Sequence, residues 1–218
     1  MKWKIIKFIV ASSYIIYCCN IITAQDNAVI KLLPPETNGR MPLMKVLMNR
    51  KTSREFSNKV LPDQVLSNLL WAANGINRPA EKKRTAPSAM NHQEIDIYLV
   101  TQQGYYLYDA ANHSLTEISK TDIRAFTGLQ EFVKEAPVNL VYVADYSRMG
   151  EFTEQQKEVY ASADAAFISQ NVYLFSASEG LNTGVRGYID KPALEKAMYL
   201  MNTQHVIFAQ SVGYPAEQ

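Results

Sequence analysis

Arg50, Lys51 and Arg54 place three permanent cations within five residues, with the hydroxyls of Thr52 and Ser53 between them. Guanidinium forks match the oxygens of a phosphate, an ammonium adds a point charge, and hydroxyls donate short hydrogen bonds to the same group. The run Asn49-Arg50-Lys51-Thr52-Ser53-Arg54-Glu55-Phe56 therefore reads as a site for a small anion. A solvated basic turn, with Arg54 paired to Glu55 or another acid, would carry the same residues. A second stretch, Arg84-Thr85-Ala86-Pro87-Ser88-Ala89-Met90-Asn91, is a compact loop of small and amide side chains in front of strand-like residues 95–100. Asn91 can both donate and accept, which suits the polar edge of a heterocycle, although a turn-forming Asn looks the same. In a third stretch, residues 180–188, Gly184 and Gly187 let a backbone approach closely or simply turn.

Other chemistries find little footing. His92, His113 and His205 keep no metal-ligand spacing with one another or with carboxylates. The chain has no Gly-x-Ser-x-Gly elbow, no P-loop and no Gly-x-Gly-x-x-Gly, so hydrolase, NTPase and Rossmann readings lack support. Residues 1–24 combine Lys2, Lys4 and Lys7 with an apolar run and end at Thr23-Ala24, which has the form of a cleaved signal peptide and implies export. Cys18 and Cys19, the chain's two cysteines, fall inside that segment, so residues 25–218 contain no disulfide or thiolate. Without the three lysines the chain carries 19 basic and 21 acidic residues, about −2, and presents no broad basic charge for nucleic acid or anionic lipid. The cations at 50–54 are a local feature, as a small ligand requires.

Taken together, the three stretches and the closing Val206-Ile207-Phe208-Ala209-Gln210-Ser211-Val212-Gly213-Tyr214-Pro215 resemble the nitroreductase family of FMN-dependent oxidoreductases, nearest to its azoline-dehydrogenase-like subgroup. The resemblance implies a dimeric α+β three-layer sandwich, a mixed and mostly antiparallel sheet flanked by helices. It implies FMN as cofactor, with Arg50, Lys51 and Thr52 at the phosphate and ribityl end and Arg54 near the pyrimidine edge. It also implies that Pro87, Ser88, Ala89 and Asn91 arrive from the other subunit, and that the peptide groups of Gly184, Val185, Arg186 and Gly187 run along the reactive edge. Two electrons would pass by hydride from NAD(P)H or another donor to a small nitroaromatic or quinone-like acceptor. An azoline-type peptide or heterocycle dehydrogenase, or a flavin carrier without turnover, are the alternatives. Many family members end on a basic residue that reaches the phosphate, whereas this chain ends Tyr214-Pro215-Ala216-Glu217-Gln218, leaving the phosphate to the 50–54 cluster.

These residues need a frame to hold them. Residues 25 to 40, with Pro34-Pro35 and Asn38-Gly39, read as an extended lead-in. Helical spacing predicts helices over 41–48, 61–73, 121–134, 153–179 and 192–200. Apolar runs predict strands over 95–101, 105–109, 138–144 and 204–212, the first two as a hairpin, and residues 77–93 read as a long irregular connection. The small residues Ala161, Ala163, Ala165, Ala166 and Ser169 fit either a dimer helix or a tightly packed core helix. One domain of about 190 residues buries enough surface to be stable without cross-links.

Overall fold

The structure, a computed structural model, describes residues 27–216, so the expected signal segment lies outside the described residues. In chain order the elements are β1 (Val29–Lys31), α1 (Leu43–Asn49), α2 (Asp63–Asn74), β2 (Ile76–Arg78), β3 (Lys83–Arg84), β4 (Ile95–Thr101), β5 (Gly104–Asp109), β6 (Ser114–Ser119), β7 (Val138–Asp145), α3 (Glu154–Glu179), β8 (Asn182–Arg186), α4 (Lys191–Ala197) and β9 (Gln204–Gly213). Seven strands form one sheet in the order β1-β6-β5-β4-β7-β9-β8, with every pairing antiparallel.

The central strands show why the fold has three layers. Successive side chains of a strand face opposite ways. In β4 and β7, Ile95, Ile97, Leu99, Leu140, Tyr142 and Ala144 pack with Leu69 and Leu70 of α2 and Ala161, Ala165 and Ile168 of α3. Their neighbours Tyr98, Val100, Val141 and Val143 pack on the other side with Leu194 of α4, Val206 and Ile123. Both faces of the sheet are thereby covered, and β7 is buried from Val138 to Ala144. Each fully buried leucine contributes about 2 kcal/mol. The α+β sandwich expected from the sequence is borne out.

Helix α3 organises the site. Thr153 and Gln156 form a reciprocal capping box at its start, and Gly180, at φ 70°, ends it in the left-handed region. Ala161, Ala165, Ser169, Val172 and Ser176 face inward, whereas Ala166, Phe167 and Gln170 are exposed. The buried small residues thus serve packing within the chain, against α2, β8 and β9.

Four expectations need correction. Residues 121–134 form two 3-10 turns, Arg124–Phe126 and Glu131–Lys134, where a helix was expected. The alternation of Ser114–Ser119 makes a strand that sequence reading passed over, and Val29–Lys31 in the lead-in pairs with it. Residues 77–93 contain the β2–β3 pair and two 3-10 turns where an irregular connection was expected. Residues 182–186, which sequence reading left as either a closely approached backbone or a turn, are the edge strand β8.

Candidate functional site

The cationic segment is pinned along the open edge of β8. Arg50 caps α1 in extended backbone (φ −58°, ψ 121°), and Ser53 N–H donates to Thr183 O at 2.9 Å. Gly184 permits this approach: a Cβ there would lie 3.1 Å from Ser53 O and 3.4 Å from the Thr52 methyl. Tyr173 of α3 locks the arrangement, because its hydroxyl accepts from Val185 N–H at 3.0 Å and lies 2.9 Å from Thr52 Oγ1. The Arg50 guanidinium stands over the same ring, 5.3 Å from its centroid. Asn182 Nδ2 donates to Glu55 O at 2.7 Å and closes the far end.

The backbone is fixed while the charged heads stay available. Arg50, Lys51 and Arg54 make no ion pair with any carboxylate among the described residues, whereas Arg40, Arg124 and Arg148 do. The Arg54–Glu55 pair that a solvated turn would show is not formed. Beside Lys51 a cavity of about 350 Å³ is lined by Asn49, Tyr173, Gly180, Asn182 and Pro215. The tail passes close by, since Ser57 N–H donates to Tyr214 O at 3.0 Å and the Lys59 ammonium lies 4.5 Å from the Tyr214 ring centroid. Three cations on a pinned segment, with Lys51 lining a cavity, fit a phosphate-bearing ligand, FMN included.

Arg186 is different. Its side chain is buried and donates to four neutral acceptors: Nε to Thr127 O (2.9 Å), Nη2 to Thr127 Oγ1 (2.8 Å) and Asn139 Oδ1 (2.7 Å), and Nη1 to Ser211 Oγ (2.8 Å). Burial pulls the guanidinium down to about 10, and no carboxylate offsets it. The Arg186 backbone pairs with Ala209 of β9. Val185 N–H is taken by Tyr173, and antiparallel alternation makes Gly187 the next peptide on the outer edge of β8.

The Pro87–Asn91 loop lies elsewhere. Ala89 N–H donates to Asp164 Oδ2 at 2.8 Å, in the middle of α3. Asp164 and Tyr173 are nine residues apart on the helix, about 13 Å along its axis. Within one chain the structure therefore unites residues 50–54 with β8 and leaves Pro87, Ser88, Ala89 and Asn91 apart. Sequence reading missed Tyr173, Asn182 and Asp164, because an aromatic or acid inside a long helix carries no mark of what it will touch. His113 is structural, bonded to Ser67 Oγ at 2.8 Å and to the Tyr108 hydroxyl at 2.9 Å.

A family model described as the Nitroreductase family matches residues 47–214. The crystal structure of a protein described as a nitroreductase from Ralstonia eutropha JMP134 is 39% identical, and the match covers 90% of this chain and 92% of that one with a TM-score of 0.84. A Methanocaldococcus jannaschii protein named for the same group is 30% identical over 151 residues, 65% of this chain and 76% of that one. The Vibrio harveyi NADPH:FMN oxidoreductase complexed with NAD+ shares the fold at 18% identity, with a TM-score of 0.60 over 80% of this chain and 69% of its own.

Proposed function

This chain belongs to the nitroreductase family, and on that premise we propose that it is an FMN-dependent oxidoreductase transferring two electrons from NAD(P)H or another donor to a small nitroaromatic or quinone-like acceptor. The observation that carries this reading is the pinned segment 50–54 beside β8, whose Arg50, Lys51 and Arg54 pair with no carboxylate among the described residues. When bound, FMN supplies the hydride chemistry at its N5. Arg50 and Lys51 hold the phosphate, Thr52 adds a hydroxyl, and Arg54 supplies positive charge where negative charge accumulates on reduction. The Gly184–Gly187 backbone provides the polar edge, and Tyr173 keeps strand and cations in register. None of these side chains is needed as an obligatory acid or base, since an open site takes protons from solvent.

The same reading requires a homodimer. On α1 Leu43, Met44, Leu47 and Met48 are 61%, 72%, 43% and 77% exposed, and Val159, Tyr160 and Phe167 of α3 also face outward. Exposed apolar side chains gathered on one short helix fit an interaction surface. A second copy seated there would bring its Pro87–Asn91 loop toward the cofactor, which the loop cannot reach in its own chain. We further propose export after removal of residues 1–24. No helix among the described residues is long and apolar enough to cross a membrane.

Fluorescence titration of the apo-protein with FMN tests the assignment. A guanidinium bonded to phosphate contributes about 1.5–3 kcal/mol, against ~0–1 for a solvated lysine. Arg50→Ala is therefore expected to weaken FMN about a hundredfold, and Lys82→Ala hardly at all. Equal affinities for the two variants would remove the main support for the flavin site. Flavin absorbance that bleaches with NADH or NADPH supports turnover, and a yellow protein inert to every donor would make it a carrier instead.

A further inference from the structure

A second cavity, of about 620 Å³, lies between the end of α2, the β2–β3 pair and the turn after β5, and shares no lining residue with the cavity beside Lys51. Its apolar lining includes Trp71, Pro35 and Pro79. The indole is half-buried and fixed in place: its Nε1–H donates to Ile76 O at 3.1 Å, and a Cβ at Gly75 would lie 2.4 Å from Trp71 Cδ1. Rigid, flat apolar groups of this kind suit a planar ring better than a flexible chain.

The polar lining is just as fixed. It holds two cations, Lys82 and Arg84, and Gln93 ties both residues to it, accepting from Arg84 Nε at 2.9 Å and donating from Nε2 to Lys82 O at 3.0 Å. Lys82 is held at φ 54°, a left-handed value that is costly for a residue with a side chain and persists only where its surroundings fix it. Neither cation pairs with a carboxylate among the described residues, whereas the adjacent Lys83 pairs with Glu81 at 3.0 Å. Arg84 gives one further N–H, from Nη1, to Asn74 O at 3.4 Å, so three of its five donors remain. Burial pulls this guanidinium below its ordinary range, against the opposing charges of Asp96 and Asp109. Asp109 lines the same cavity, but its oxygens are already held by Ala111 N–H (2.8 Å), Asn112 N–H (3.2 Å) and Asn112 Nδ2 (2.6 Å). Two cations and one acid leave room for a single negative charge, in contrast to the three cations of residues 50–54.

We propose that this cavity is a second binding site, for an aromatic monocarboxylate: the ring lies against Trp71, and the carboxylate takes the remaining N–H groups of Arg84 and the Lys82 ammonium. A guanidinium fork matches the planar geometry of a carboxylate, and the ammonium adds a point charge. The site is independent of the flavin reading.

Trp71 itself reports on the cavity, because Trp3 is the chain's other tryptophan. In the full apo-protein carrying Trp3→Phe, benzoate is expected to change Trp71 fluorescence saturably. Benzyl alcohol, with the same ring and no charge, is expected to bind about tenfold more weakly or worse, the cost of losing a charge-assisted hydrogen bond. Lys82 is exposed, so Lys82→Glu leaves the packing unchanged; it replaces an attraction by a repulsion and should weaken benzoate about tenfold. Lys83→Glu, also exposed but outside the cavity, should leave benzoate affinity as it was. No saturable response to benzoate, benzyl alcohol binding as tightly as benzoate, or Lys82→Glu behaving like Lys83→Glu would overturn the proposal. Benzoate binding with these responses in a protein that does not bind FMN would remove the flavin site and leave this one standing.

Discussion

Arg50 and Arg186 lie on either side of the β8 edge and put the same side chain to opposite uses. Arg186 spends four of its five N–H donors on Thr127, Asn139 and Ser211, whereas Arg50 lies over Tyr173 without a carboxylate partner among the described residues. Sequence alone could not separate them, because both sit in runs of small and polar residues beside apolar elements. The type of the 50–54 cluster was legible; its fixation by Tyr173 and Gly184 was not, since that depends on a helix more than a hundred positions away. Glu94 makes a separate demand on stability. Its carboxyl rises from 4.5 to about 7 through burial and then through the Asp164 charge. Between those pH values the unfolded chain loses the proton that the native protein keeps, so stability falls as pH rises through that window. Glu94→Gln removes this dependence. Urea denaturation at pH 5 and pH 8 should show the variant gaining on wild type at the higher value, and parallel profiles would contradict the sign argued here.

At the level of elements, periodicity served where a single face decides the structure. The Thr153 cap, the α3 pattern and Gly180 are all local signals, and α3 runs from 154 to 179, where 153–179 was expected. Residues 121–134 failed because a distant group competes for their backbone. A helix there would bond Thr127 O to an N–H four residues on, but Arg186 Nε takes that oxygen, and a Cβ at position 128 would lie 2.5 Å from Nε. β8 was hidden by Gly184 within it and Gly187 just after it, which fit a turn as well as a strand that another backbone approaches. That role gives a contrast between the two. Gly184→Ala forces the Thr52–Ser53 backbone outward and should cost about 1 kcal/mol, whereas a Cβ at Gly187 meets only the Phe208 ring at 3.7 Å. Thermal melts of the apo-protein should show a lower midpoint for Gly184→Ala and little change for Gly187→Ala. Equal midpoints would mean that the 50–54 segment does not depend on close contact with β8.

For the whole molecule, the separation of the Pro87–Asn91 loop from the 50–54 segment decides what the proposed site requires. The cations sit at the C-terminal half of α3 and the Pro87–Asn91 loop is bonded to its middle, so on the reading proposed above a complete pocket would take two copies. The exposed apolar face of α1 supplies a surface for them to meet. In a twofold dimer, a substitution on that face appears twice. Met44 and Met48 are one helical turn apart and largely exposed, so Met44→Glu with Met48→Glu leaves the packing of the single chain unaltered. Across an interface the same pair would place four carboxylates in an apolar contact, at several kcal/mol for each ion left unpaired. The double variant is expected to halve the mass seen by light scattering while its circular dichroism stays that of the parent. Its FMN affinity should fall as well, although no residue of the 50–54 cluster has changed, because the partner's loop is lost. A wild-type protein that binds FMN fully as a monomer would sink the two-chain site, and a double variant that stays dimeric would move the interface away from α1.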